Sequence, residues 1–123
     1  MIVLAPISVG ELIDKITILD IKKTLINDEA KRVNVWRESN ELNSILESLD
    51  LPDLTTYREH LYTVNKELWH IEDYKRMMEK EQNFGEGFIN AARQVYLKND
   101  LRAKIKRDIN ELVGSTIIEE KSY

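Results

Sequence analysis

The chain contains no cysteine, and only two prolines and four glycines occur among its 123 residues. Without cysteine there can be no disulfide, no thiolate metal site and no thiol nucleophile. The shortage of proline and glycine leaves few places for turns, because these residues interrupt helices most strongly. Together with 42% apolar and 33% charged residues, this favours one globular domain, residues 1–123, built from a few long helices.

Two further absences bear on where the protein works. It carries 18 basic residues against 22 acidic ones, a net charge of −4, and lacks the basic excess typical of a nucleic-acid-binding protein. No apolar run is long enough to span a bilayer, and the apolar start MIVLAPI is too short for a signal peptide and lacks its basic flank. We therefore expect a soluble cytoplasmic protein with no nucleic-acid or membrane partner.

The first helix is marked at its beginning by the string ISVGEL. Ser8 stands three residues before Glu11, the spacing of a capping box, which predicts a helix beginning at Val9 or Gly10. This helix then carries apolar residues on two nearly opposite sides: Leu12, Ile13, Ile16, Leu19 and Ile26 on one, and Ile18, Ile21 and Leu25 on the other. So short a chain has few helices to cover both sides, which predicts a two-fold dimer.

Three more helices follow, separated by clear breaks. Asn27 or Asp28 suits a turn or a new cap, and Pro52 precedes a long third helix from about Thr56 to the low eighties. The string NFGEG ends the third helix, and Gly114 is placed to cap the fourth. We predict an all-α antiparallel bundle of about four helices. The β-branched ends, MIVLA and STIIEE, can pair as a short β-ribbon.

The fourth helix has polar residues where apolar ones are expected. Its inward line begins with Phe88, Ala92 and Val95. At the same spacing of three or four residues, the line continues through four polar residues: Asn99, Arg102, Lys106 and Asn110. Because a buried charge without a partner is costly, the two cations must meet carboxylates, water or a ligand.

Partners for these cations occur on other helices. Asp20 lies on one apolar side of the first helix, and Asp14 lies on the other. Asn65 and Glu72 flank the apolar side of the third. We predict that Arg102 and Lys106 form an interior polar cluster with Asp20 or Glu72. Three interpretations stay open: structural ion pairs, a pocket for phosphate or carboxylate, and a subunit interface whose register the polar groups set.

The histidines do not indicate a metal or catalytic site. His60 and His70 are ten residues apart and do not share a helix face, so neither a zinc pair nor a catalytic triad is supported. We assign no metal, no cofactor and no catalytic residue, and we leave open whether the protein is an enzyme.

Several strings carry a resemblance to a known family. They are PISVGELIDKITILDIK, VNKELWHIED, FINAARQVYLKNDLRAKIKRDIN and GSTIIEEKSY. Together they resemble an uncharacterised all-helical domain family of bacteria and their viruses, including those of cyanobacteria. The resemblance covers nearly the whole chain, apart from the region between Asn27 and Pro52. It implies no activity and no catalytic residue, since no function is established for that family.

These observations lead to two expectations about function. The first is a small helical-bundle module that self-associates or binds a protein partner. The alternative is a bundle with an interior site for a small anionic ligand, and under this alternative the protein could be an enzyme acting on that ligand. The site would be formed by Arg102, Lys106, Asn99, Asn110, Asp20, Glu72 and Asn65. An interface predicts exposed apolar surface on the isolated subunit, whereas a ligand site predicts a concave pocket with Arg102 or Lys106 at its wall.

Overall fold

A computed structural model of residues 1–123 contains four helices and no strand. They are α1 (Val9–Leu25), α2 (Glu29–Glu47), α3 (Thr55–Lys80) and α4 (Glu86–Val113). The chain is therefore an all-α bundle, as predicted, and α3 and α4 are the longest helices, with 26 and 28 residues. None of the helices combines the length and the apolar character that crossing a membrane requires.

Three of the helix ends are defined by a local cap or glycine, which is why the sequence predicts them well. Ser8 caps α1 by accepting a hydrogen bond from the Glu11 N–H at 3.1 Å. Asp28 caps α2 through the Lys31 N–H at 3.0 Å. Gly114 ends α4 in the left-handed conformation, with φ of 70°, which glycine adopts without steric cost. The predicted start of α1 and the predicted cap of α4 are thus confirmed.

The central element of the bundle is α1. It packs against α2, α3 and α4, whereas α2 packs on no helix other than α1. Residues from both apolar sides of α1 are buried: Leu12, Ile13, Ile16 and Leu19 from one, and Ile21 from the other. The chain's own helices therefore cover both sides, and the two-sided character of α1 gives no argument for a second subunit.

The main core lies where α1 meets the α3–α4 pair. Its seven buried members come from α1, α3, α4 and the connection before α3: Ile13, Leu54, Leu61, Val64, Leu68, Ile105 and Ile109. Burying one such side chain fully contributes roughly 1.5–3 kcal/mol. Since Ile105 and Ile109 lie in the last third of α4, this core fixes α1 against that part of α4.

The predicted phase of α4 is wrong near its beginning. Ala92 was expected to face inward but is exposed, while the neighbouring Ala91 is buried. The inward line was extended with a strict seven-residue repeat. A straight α-helix drifts by roughly 20° per heptad from that repeat, so Ala92, two heptads before Lys106, points roughly 40° away from the direction of Lys106.

The structure does not support the predicted β-ribbon between the two ends. Residues 1–7 and 116–123 take part in no backbone–backbone hydrogen bond. The C-terminal segment, residues 115–123, instead turns back along α4, where its carboxylates reach Lys106 and Arg107. Charge pairing with α4 holds this segment there, and an isolated two-stranded ribbon is only marginally stable.

Candidate functional site

The four polar residues of α4 lie where α4 meets α1 and the C-terminal segment. Lys106 and Asn110 are buried, and Asn99 and Arg102 are half-buried. Three of the four bond directly to residues of α1. The sequence-based prediction that this line faces inward is confirmed for Lys106 and Asn110.

Arg102 forms a two-pronged ion pair with Asp14 of α1. Its Nε donates to Asp14 Oδ1 at 2.9 Å, and its NH2 donates to Oδ2 at 2.5 Å. Asp14 is completely buried, whereas 28% of the Arg102 side chain is exposed. The hydrogen bond to Asp14 raises the pKa of Arg102, and burial opposes this effect only in part. Paired planar groups of this kind form the stronger class of protein hydrogen bond.

Two neutral side chains complete the environment of the buried carboxylate. The Asn65 Nδ2 donates to Asp14 Oδ1 at 2.8 Å and to Thr17 Oγ1 at 3.0 Å. Thr17 Oγ1 donates in turn to the Asp14 carbonyl oxygen at 2.7 Å. We call Asp14, Thr17, Asn65 and Arg102 the polar cluster. Because its members satisfy one another, the cluster joins α1, α3 and α4 without leaving a buried charge unpaired.

Lys106 is held between two carboxylates. Its Nζ donates to Glu11 Oε2 at 2.6 Å and to Glu119 Oε2 at 2.9 Å. Burial disfavours the charged form of Lys106, but the two hydrogen bonds outweigh it, so the pKa of Lys106 is raised. The hydrogen bond from Lys106 also lowers the pKa of Glu119. Lys106 thereby ties α4 both to the first turn of α1 and to the C-terminal segment.

Asn110 lies at a close approach of α1 and α4. The Gly10 N–H donates to Asn110 Oδ1 at 2.7 Å. A side chain on Gly10 would place its Cβ 2.5 Å from the carbonyl oxygen of Lys106, which is closer than packed atoms come. Glycine is therefore required here for steric reasons, and it lets the two helices pack closely enough for this bond.

The partners predicted for the two cations are wrong. Asp20 pairs with Arg58 at 3.2 Å and Lys23 at 3.7 Å, and Glu72 pairs with Lys75 at 3.6 Å. Asn65 does join the cluster. The first half of α1, rather than its second half, meets α4, which brings Asp14 to Arg102 and leaves Asp20 beyond its reach.

The correct partners left only partial signals in the sequence. The sequence places Asp14 on the apolar side that Ile18 and Ile21 continue, but it does not indicate whether Asp14 or Asp20 meets the cations. Glu11 has the spacing of a capping-box residue, so a role at the start of α1 already accounts for it and no partner on another helix is indicated. Glu119 belongs to a segment that resembles a strand, and nothing in its spacing indicates a return along α4.

A groove runs between α4 and the C-terminal segment. We define the α4 groove by the side chains of Asn99, Arg102, Lys106, Arg107 and Asn110. It contains two cavities of about 190 and 470 Å³, both with Lys106 in their walls. Arg107 pairs with Glu120 of the segment at 3.2 and 3.3 Å. The groove is therefore basic on its α4 side, and two adjacent carboxylates of the chain itself lie against it.

The remaining candidate residues do not assemble into a catalytic constellation. Both histidines, His60 and His70, are exposed. No group of three or more histidine, aspartate or glutamate side chains is placed to hold a metal ion. Each cation of the groove already faces at least one carboxylate. A ligand anion would have to compete with these carboxylates.

Fold and site together define the class: an all-α bundle in which carboxylates of another helix and of the C-terminal segment neutralise the cations of one helix. The chain belongs to a family of unknown function, DUF6165, whose model matches residues 3–123. No curated protein and no solved structure matches the chain. Family membership therefore adds no activity to what the geometry shows.

Proposed function

We propose that the protein is a non-enzymatic association module that forms a two-fold dimer through its terminal segments. One observation carries the proposal: the apolar residues of the N-terminal segment are almost fully exposed. Ile2, Val3 and Leu4 are 67, 77 and 84% exposed, and residues 1–7 make no backbone–backbone hydrogen bond. An exposed apolar segment whose backbone groups are not paired with other backbone groups can serve as a template for pairing with another chain.

The C-terminal segment extends this surface. Because Gly10 bonds to Asn110, the beginning of α1 lies beside the end of α4, and both terminal segments leave the bundle at the same end. Ile117 and Ile118 are also exposed, at 43 and 38%. We call the exposed apolar residues of the two segments the terminal apolar surface: Ile2, Val3, Leu4, Ile7, Ile117 and Ile118. Exposed apolar residues at one end of a bundle can form a patch of the kind that marks association sites.

A second copy of the chain is the occupant that we propose for this surface. Closed two-fold pairing is the most frequent arrangement of soluble oligomers, and it buries the same patch on both subunits. The surface holds both apolar groups and free backbone donors and acceptors, so two copies can satisfy each other. The proposal retains the expectations of a cytoplasmic location and of an origin in bacteria or their viruses.

Sedimentation of the wild type and of two matched variants tests the proposal. The wild type should sediment above monomer mass at micromolar concentration. Val3→Asp places a charge in the terminal apolar surface and should yield monomers. Val33→Asp, at another exposed valine on α2, should leave the dimer intact. A monomeric wild type, or equal loss of the dimer in both variants, would contradict the proposal.

A second candidate is a site for a small anionic ligand in the α4 groove. The observation that favours it is that Asn99, Arg102, Lys106 and Asn110 all line the cavities beside the C-terminal segment. A phosphate or a dicarboxylate would replace the carboxylates of Glu119 and Glu120. Whether such a ligand would be converted chemically stays open.

Thermal melts with phosphate, citrate and a nucleotide test this second candidate. The variant Glu119→Gln/Glu120→Gln removes the competing charges and should be stabilised more strongly by an anion than the wild type is, since a ligand that binds only the folded state raises its stability. The same melts on Arg107→Ala, which removes one cation of the groove, should show weaker stabilisation by anions. If no anion shifts any curve, the groove does not bind small anions.

A further inference from the structure

The C-terminal segment is attached to α4 almost entirely by side chains. Beyond the bond from the Ser115 N–H to the Asn110 carbonyl, it makes no backbone–backbone hydrogen bond. Its contacts with α4 are the ion pairs of Glu119 with Lys106, at 2.9 Å, and of Glu120 with Arg107, at 3.2 Å. Any chain that presents the same two carboxylates in the same spacing can make these contacts.

Attachment to its own chain leaves part of the segment's apolar surface uncovered. Ile117 and Ile118 are exposed, and Tyr123 is 85% exposed. The Glu120 and Arg107 side chains are themselves 70 and 45% exposed, and ion pairs between such exposed groups contribute little to stability. The segment is therefore held mainly by the pair of Glu119 with the buried Lys106, and the exposed parts of Ile117 and Ile118 are available to a second subunit.

We propose that the two subunits of the dimer exchange their C-terminal segments, so that Glu119 and Glu120 of each copy pair with Lys106 and Arg107 of the other. This rests on the self-association proposed above. Exchange keeps every ion pair, because the same groups meet in the same way between chains as within one chain. It adds burial of the parts of Ile117 and Ile118 that are still exposed, at 43 and 38%, in the closed monomer.

Gly114 is the point at which the segment changes direction. It stands directly after α4 with φ of 70°, and a side chain there would meet no atom within 4 Å. The turn back along α4 therefore depends on the backbone angles of this glycine and not on packing around it. Glycine moves between left-handed and extended conformations without steric cost, so the segment can swing from its own α4 to that of a neighbour.

Cross-linking tests the exchange, and the cysteine-free chain makes every introduced thiol unique. A full-length chain with Arg107→Cys is mixed with a full-length chain carrying Glu120→Cys, distinguished by a size tag, and treated with a short bismaleimide. Exchange predicts a covalent heterodimer. The matched control pairs Glu120→Cys with Lys31→Cys on α2, which does not pack on α4, and should give at least about ten-fold less heterodimer.

The double variant Arg107→Cys/Glu120→Cys separates exchange from attachment within one chain. Exchange predicts covalent dimers that give way to internally linked monomers on dilution below the dissociation constant. Internally linked monomers at every concentration, or no link at all, would overturn the exchange. If the wild type nevertheless sediments as a dimer, self-association stands and only the exchange fails. If the wild type sediments as a monomer, both proposals fail.

Discussion

Replacing Arg102 by alanine should reveal how much the fold depends on the polar cluster. The substitution removes both hydrogen bonds to Asp14, which is completely buried. The carboxylate keeps only one side-chain donor, the amide of Asn65 at 2.8 Å. Without Arg102, the negative charge of Asp14 is left buried and poorly solvated. Because this happens only in the folded state, it lowers the free energy of unfolding.

The size of the effect follows from the burial of the two partners. Removing one member of a fully buried ion pair costs about 3–5 kcal/mol. Because 28% of the Arg102 side chain is exposed, water can reach part of the site in the variant, and the remaining Asn65 bond reduces the loss further. We therefore expect a loss near the lower end, about 3 kcal/mol. For a chain of this size, that lowers the melting temperature by roughly 10 °C.

Thermal and urea unfolding of Arg102→Ala measure this loss, with two companion variants. Lys104→Ala removes another cation from α4, but its pair with Asp108 is exposed, so we expect no measurable change. Adding Asp14→Asn to Arg102→Ala removes the stranded charge and should restore part of the stability, a coupling that a double-mutant cycle quantifies. If Arg102→Ala melts within about 2 °C of the wild type, the cluster does not stabilise the fold.

Three further substitutions or conditions test other parts of the structure. Gly10→Ala should cost about 1–3 kcal/mol in urea unfolding, because its Cβ would press against the Lys106 carbonyl and separate α1 from α4. Leu61→Ala, in the core, should cost about 2–5 kcal/mol by the same measurement. The pKa of Glu119 is lowered from its ordinary value of 4.5 by Lys106, so its pairing contributes stability above pH 4.5 and loses it as pH falls through the lowered pKa. Amide NMR signals of the C-terminal segment should therefore report its release in acid, and Glu119→Gln should abolish that titration.

The sequence predicts the helices well because local chemistry defines them. Ser8 and Asp28 cap helices through bonds that span three residues, and Gly114 acts through its own backbone angles. Such features need no knowledge of the rest of the chain. The burial of Lys106 and Asn110 was also predictable, since helical spacing places them on the line that apolar residues begin.

The partners of these residues were not predictable for a physical reason. Whether Asp14 or Asp20 meets Arg102 depends on where α1 crosses α4, and the close contact at Gly10 decides this crossing. The position of the C-terminal segment depends on charge pairs with Lys106 and Arg107, which have no periodicity to read. Helix phase fails in a similar way at Ala92, because small angular errors accumulate along α4.

The bond between Gly10 and Asn110 spans 100 residues, and this has a consequence for how the protein is made. At ordinary rates of translation, roughly 5–20 s pass between the synthesis of the two residues. During this time α1 can pack on α2 and then on α3, but the carboxylate of Asp14 still lacks Arg102, its ion-pair partner. A nascent chain or a fragment that stops before Arg102 must keep α1 partly open to water, so we expect folding to be completed only after α4 has left the ribosome.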